Sequence, residues 1–147
     1  MDKLRSPIWV VVADQARARL FKYGHEDGGL TEVEDLVCVE ARLQQHELVS
    51  DAAGEAPGRN KHDSYDPREA AKAHRRKEFA HAIGLRLEAR RNAGELAGFY
   101  LVAEPRFLGE LRLALSAPLV KQLRGEVAHR LTLGTGAEVR ALLPQDL

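Results

Sequence analysis

Six consecutive apolar residues, Ile8 to Ala13 (IWVVVA), constrain this chain more than any other stretch. On a strand, Ile8, Val10 and Val12 point to one face and Trp9, Val11 and Ala13 to the other. A run apolar on both faces fits a strand buried inside a sheet rather than one at the surface. Asp14 ends the run, and alternation resumes through Ala18, Leu20, Phe21 and Tyr23. Ile8 to Phe21 therefore reads as two short strands joined by a tight turn, and the rest of the chain has to pack on them. The run is shorter than a signal-peptide core, and Asp14 stands where small neutral residues would be expected. No stretch approaches the ~20 apolar residues of a membrane helix.

The 147 residues suit a single domain spanning 1–147. A composition 44% apolar and 30% charged is that of a soluble globular protein. Formal net charge is zero and the pI is near 7.0, so any electrostatic function has to come from local asymmetry. Cys38 is alone, which excludes a disulfide framework and makes a reducing, cytoplasmic location the simplest expectation.

After the hairpin, Gly24 to Gly29 reads as a turn. Leu30 to Val39 resumes as strand, but its apolar residues Val33, Leu36, Val37, Cys38 and Val39 do not share one parity. A bulge is expected near Asp35 and Leu36. Glu40 to Val49 is a helical turn or an extended arm. Ser50 to Pro67 (SDAAGEAPGRNKHDSYDP) is the longest irregular stretch, and loops of that length are commonly functional or disordered. A domain boundary is rejected there, because the 49 residues before it offer a few strands and no helix to cover them.

The strongest helix begins at Pro67 or Arg68, with Asp66 as N-cap, and runs to about Asn92, with Gly94 ending it. Phe79, Ile83 and Leu87, flanked by Ala80 and Ala82, form its apolar stripe. Gly84 in mid-helix suggests a close approach to the sheet. Gly98 to Ala103 (GFYLVA) is a second central strand. Pro105 then opens a helix over Arg106 to Leu115 carrying Phe107, Leu108, Leu111 and Leu115. Leu119 to Thr132 holds a strand or a helix that the pattern leaves open. Ala137 to Leu143 closes the chain as an amphipathic turn or two, with Val139, Leu142 and Leu143 inward. The order gives an α/β fold with a mixed β-sheet and helices packed on it.

Charge is segregated along the chain. His25 to Glu55 carries nine acids against Arg42, net −8. Arg59 to Arg91 carries ten bases against five acids, net +5. A basic helix and loop can lie along phosphates, which makes Arg59, Lys61, Lys72, Arg75, Arg76, Arg86 and Arg90 candidate nucleic-acid-binding residues. The alternative is a solvated helix face with its own i,i+4 pairs, or one that pairs with the acidic half.

Metal-dependent hydrolysis needs carboxylates converging on cations. Asp14 ends the first strand and Asp51, Asp63 or Asp66 can in principle approach it, but Asp14 is equally an ordinary turn residue. His74, Glu78 and His81 share a helix face, yet Arg75 and Lys77 beside them would repel a cation, which favours a surface stripe. His62 has no identifiable partner for general-base work. Cys38 fits a small buried apolar residue better than a nucleophile. No catalytic residue and no metal ligand are assigned, and no cofactor is implied.

Four separated segments carry a family resemblance: WVVVADQARARLF at residues 9–21, EARLQQHELVSDAAGEAPGR at 40–59, RRKEFAHAIGLRLEA at 75–89 and LVAEPRFLGELRLAL at 101–115. In this order they resemble the bacterial host-attachment protein family, which is named for attachment to host cells, a phenotype and not a chemistry. The resemblance spans Ile8 to Leu143. It departs from the family near the end, where Arg130 stands in place of a usual acidic residue before Leu131 and Thr132. The family in turn is similar to the middle domain of archaeal and eukaryotic class 1 release factors and Pelota-like proteins, which implies a ribonuclease H-like fold.

In release factors the loop before the long helix carries a Gly-Gly-Gln tip. The equivalent loop here holds Gly54, Gly58 and Arg59 but no such motif. Gly28 and Gly29 sit in a different turn, and Gln44 and Gln45 lack adjacent glycines. The resemblance therefore implies the fold without the release activity. The expected function is a non-catalytic binding module in the cytoplasm, contacting tRNA or the ribosome through the basic helix and loop, with no membrane partner. Hydrolysis of a phosphoester or peptidyl-tRNA ester, and a protein–protein interaction module, are the alternatives.

Overall fold

The computed structural model describes residues 7–39, 41, 66–130, 133–145 and 147. The expectations for Glu40 to Val49, for the loop 50–65 and for His62 lie outside the described residues.

Ile8–Ala13 forms β1, buried at every position. Its two apolar faces have two covers because it pairs on both sides, antiparallel to β2 (Arg17–Tyr23) and parallel to β4 (Gly98–Ala103). Strand β3 (Leu30–Val37) adds to β2 at one edge and β5 (Leu123–Ala128) to β4 at the other, giving the mixed order β3-β2-β1-β4-β5. Strands from before and after the loop thus share one sheet.

Helices lie on both faces. Trp9, Val11 and Ala13 pack with α1 (Pro67–Asn92), α2 (Pro105–Ala114) and α3 (Ala117–Gln122) through Phe79, Ile83, Leu87, Phe107, Leu111 and Leu119. Ile8, Val10 and Val12 pack with α4 (Gly136–Ala141) through Val139, and with Leu143 beyond it. The α/β fold with a mixed sheet is as the sequence pattern indicates, and the unsettled stretch after Pro118 holds both a helix and a strand.

Three expectations need correction. The β3 irregularity falls at Val33, where Leu20 pairs with Glu34 and Phe21 with Glu32, so it lies earlier than Asp35 and Leu36. The extra residue sends Glu32 to the α4 face and Glu34 to the α1 face, where each meets arginine. Gly84 approaches α2 and not the sheet: a Cβ there would sit 2.8 Å from the Ala114 carbonyl oxygen. Ala82 is exposed, and Ala80 alone of the two flanking alanines is buried.

Helix α1 begins as its sequence dictates. The Asp66 side chain accepts from the Arg68 N–H at 3.0 Å, and Pro67 needs no acceptor. It ends where Gly94 adopts φ 75°, a left-handed conformation that glycine takes without a Cβ clash. Its buried residues start at Phe79. The preceding stretch, 67–78, therefore runs for about 18 Å without a buried side chain.

Candidate nucleic-acid interface

The candidate cations on α1 fall into two groups with different surroundings. In the anchored half, Arg86 Nε lies 3.1 Å from Glu34 Oε1 and Arg90 Nη2 lies 2.8 Å from Glu34 Oε2. Arg90 Nη1 also meets Glu95 at 2.7 Å, and its guanidinium stacks 4.7 Å from the centroid of Trp9. The Trp9 indole in turn donates to the Glu95 carbonyl at 2.8 Å. Arg90 therefore ties the edge strand β3, the helix end and the central strand together. Arg91 pairs with Glu88, which also accepts from the Ser116 hydroxyl at 2.6 Å. Those two bonds, Ser116 first, hold the Glu88 carboxyl below the usual carboxylate range.

The half before Phe79 is different. Residues 67–78 carry the cations Arg68, Lys72, Arg75, Arg76 and Lys77 against two acids, Glu69 and Glu78. Lys72 Nζ stands 3.8 Å from Glu69, a loose contact, and Glu78 pairs with His74. Arg75 Nη2 and Arg76 Nε are sealed from solvent and have no hydrogen-bond partner among the described residues. The structure thus places Lys72, Arg75 and Arg76 together on the half that buries no side chain. Arg86 and Arg90 sit on the half that packs, and Arg59 and Lys61 lie outside the described residues. Arg68 and Lys77 share the first half and were not among the candidates. Nothing local marks Glu34 as the counter-charge of Arg90, because 56 residues separate them in the chain.

The other candidates have local roles. Asp14 Oδ1 accepts from the N–H groups of Ala16 at 2.7 Å and Arg17 at 2.8 Å, the geometry of an Asx turn closing the β1–β2 hairpin. Asp66 caps α1. His74 and His81 are exposed. Cys38 is half-buried against the α1-side core, with its N–H on the Ala16 carbonyl. Among the described residues no three His, Cys, Asp or Glu side chains gather in a way that would hold a metal ion. No described helix is long and apolar enough to cross a membrane.

Comparison with known proteins addresses the fold and the family. The archaeal translation termination factor aRF1 superposes with a TM-score of 0.55 at 13% identity, over 98% of this chain and 38% of that one. A second structure, described as an archaeal protein, superposes with a TM-score of 0.52 at 14% identity, over 95% of this chain and 34% of that one. The chain thus spans little more than a third of each, and the likeness is one of fold. No curated protein sequence matches. A family model described as "Protein required for attachment to host cells" matches residues 9–143, from the central strand to the residue that closes the α4-side core. The chain belongs to the family of proteins required for attachment to host cells.

Proposed function

We propose that this chain is a non-catalytic module that binds RNA through the first half of α1. The observation that carries the proposal is the uneven neutralisation of one helix. Arg86, Arg90 and Arg91 each have a carboxylate, whereas Arg75 and Arg76 each keep a buried guanidinium nitrogen without an acceptor among the described residues. Fixed positive charge on a rigid element is what a phosphate backbone selects for. The fold likeness to a translation termination factor makes tRNA and the ribosome the first RNAs to try. Asp14 gives hydrolysis little support, since one carboxylate oxygen is already committed to two backbone donors.

The test is fluorescence anisotropy with labelled tRNA over a salt series, alongside co-sedimentation with ribosomes. Binding should weaken linearly in log–log form as salt rises, with a slope falling by about 0.7–0.9 for each phosphate-contacting charge removed. Arg75→Gln and Arg76→Gln should each lower the slope, and Arg86→Gln should lower it less because Glu34 already holds that charge. A wild-type protein that retains neither tRNA nor ribosomes at low salt refutes the proposal.

A further inference from the structure

Lys77 and Arg106 are exposed cations with no acceptor among the described residues. They belong to different helices but to one level of the fold. Lys77 lies about two turns before Gly84, so it projects from the side of α1 that meets α2. Arg106 directly precedes Phe107, whose ring stacks 6.0 Å from that of Phe79. Packed helices stand about 8–10 Å apart, so the two cations flank one seam at the end of the half of α1 that buries no side chain. Exposed, unpaired cations occur elsewhere too. Lys22 and Arg124 sit at the opposite end of the sheet, beside Trp9 and Gly98, where β1 and β4 begin.

The aromatic rings are distributed differently. Tyr65 lies outside the described residues; of the others, Trp9, Phe21, Phe79, Phe99, Tyr100 and Phe107 are buried. Tyr23 is taken up by His25 and the Arg140 guanidinium, at the end of the sheet away from Arg106. Proteins that hold single strands stack the bases on exposed rings, for about 1–3 kcal/mol per base. A surface of cations gains from phosphates instead, and a duplex carries about twice the linear phosphate density of one strand. We infer that the RNA bound is base-paired and held by its backbone without regard to sequence, and that Lys77 and Arg106 carry the contact from α1 onto α2. This rests on the RNA-binding proposal and adds to it the class of RNA and a second helix.

The experiment uses the full chain and fluorescence anisotropy with three labelled probes. They are an RNA duplex of about 16 base pairs, a second duplex of scrambled sequence, and oligouridine of equal length. The two duplexes should bind within about twofold of each other, and about tenfold or more tighter than oligouridine. Lys77→Gln and Arg106→Gln should each lower the salt slope for the duplex by about 0.7–0.9. Arg124→Gln, an equally exposed arginine at the far end, should leave slope and affinity unchanged. All three side chains are exposed, so these substitutions leave the fold intact. Oligouridine bound as tightly as the duplexes would overturn the inference and leave RNA binding standing, as would a strong preference for one duplex sequence. Lys77→Gln and Arg106→Gln that behave like Arg124→Gln would overturn the contact at the α1–α2 seam. A protein that binds neither duplex, nor oligouridine, nor tRNA would refute the RNA-binding proposal itself.

Discussion

Two glycines in helices make a matched experiment on how α1 and α2 pack. Glycine in a helix interior costs about 1 kcal/mol relative to alanine, so Gly→Ala ordinarily stabilises. At Gly109, in the middle of α2, an added Cβ meets nothing within 4 Å. Gly109→Ala should therefore realise most of that gain. At Gly84 the added Cβ would lie 2.8 Å from the Ala114 carbonyl oxygen and 3.6 Å from its carbon. That is about 0.5 Å inside an ordinary carbon–oxygen contact of roughly 3.3 Å. The obstacle is backbone at the end of α2, so no rotamer change relieves it, and the two helices have to separate. Separation also loosens the Phe79–Phe107 stack, whose rings are 6.0 Å apart. Overpacking of this kind costs about 1–3 kcal/mol, which cancels or exceeds the helix-propensity gain. For 147 residues the unfolding entropy is about 0.3 kcal/mol/K, so 1 kcal/mol corresponds to roughly 3 °C. Differential scanning calorimetry should place Gly109→Ala about 2–3 °C above wild type and Gly84→Ala about 3–9 °C below Gly109→Ala. The difference is the decisive quantity, because the propensity term is common to both. Equal Tm values for the two variants would refute the close α1–α2 approach.

Arg90→Ala removes two ion pairs and the stack on Trp9 from a half-buried side chain, and should cost about 1–3 kcal/mol in urea unfolding. Arg86→Ala, at a side chain 54% exposed, should cost under about 1 kcal/mol, and equal losses would contradict the geometry. Asp14→Asn keeps the Oδ1 acceptor and should barely change stability, while Asp14→Ala should cost about 1 kcal/mol; similar losses would argue against the Asx turn. The Arg19 hydrogen bond holds the Glu32 carboxyl below its ordinary range. A depressed carboxylate contributes stability that is present above the unfolded-state value and is lost as pH falls through the folded one. Arg19→Gln should therefore flatten the acid limb of Tm against pH and return Glu32 toward ordinary titration by NMR; an unchanged limb would exclude the pair.

Features set by single-residue chemistry were legible in the sequence. Strands β1 and β4 announce themselves because both faces are apolar, and both prove central. The ends of α1 follow from Asp66-Pro67 and Gly94, whose capping and left-handed roles need no tertiary partner. Features set by a distant partner were not. Parity could show that β3 breaks its alternation, but the bulge is placed at Val33 by the need to send Glu32 toward Arg19 and Glu34 toward Arg86 and Arg90. A glycine in mid-helix signals close approach without saying to what, and Ala114 supplied the answer. The stretch after Pro118 resisted assignment because α3 is six residues with Leu119 alone buried, and β5 is a half-exposed edge. In the candidate site, the sequence identified the basic helix but treated its cations as equivalent.

That inequivalence follows from where the acidic run goes. Its β3 members are not a separate negative surface: Asp35 and Glu32 are taken up by Arg17 and Arg19 on β2, and Glu34 by Arg86 and Arg90 on α1. The edge strand thereby neutralises the same half of α1 that buries Phe79, Ile83 and Leu87. Hydrophobic anchoring and pairing with the edge strand coincide from Phe79 onward, whereas no buried residue lies before it and Lys72 and His74 pair there only with acids of their own helix. An isolated helix as short as 67–78 is marginal in water, and one with repelling cations at close spacing is worse. It persists here as the continuation of a half that is already folded, so the anchored turns supply the order that the first turns cannot. The arginines needed for packing and those available to an anion are in this way divided along one continuous helix, with the boundary set by the first buried residue.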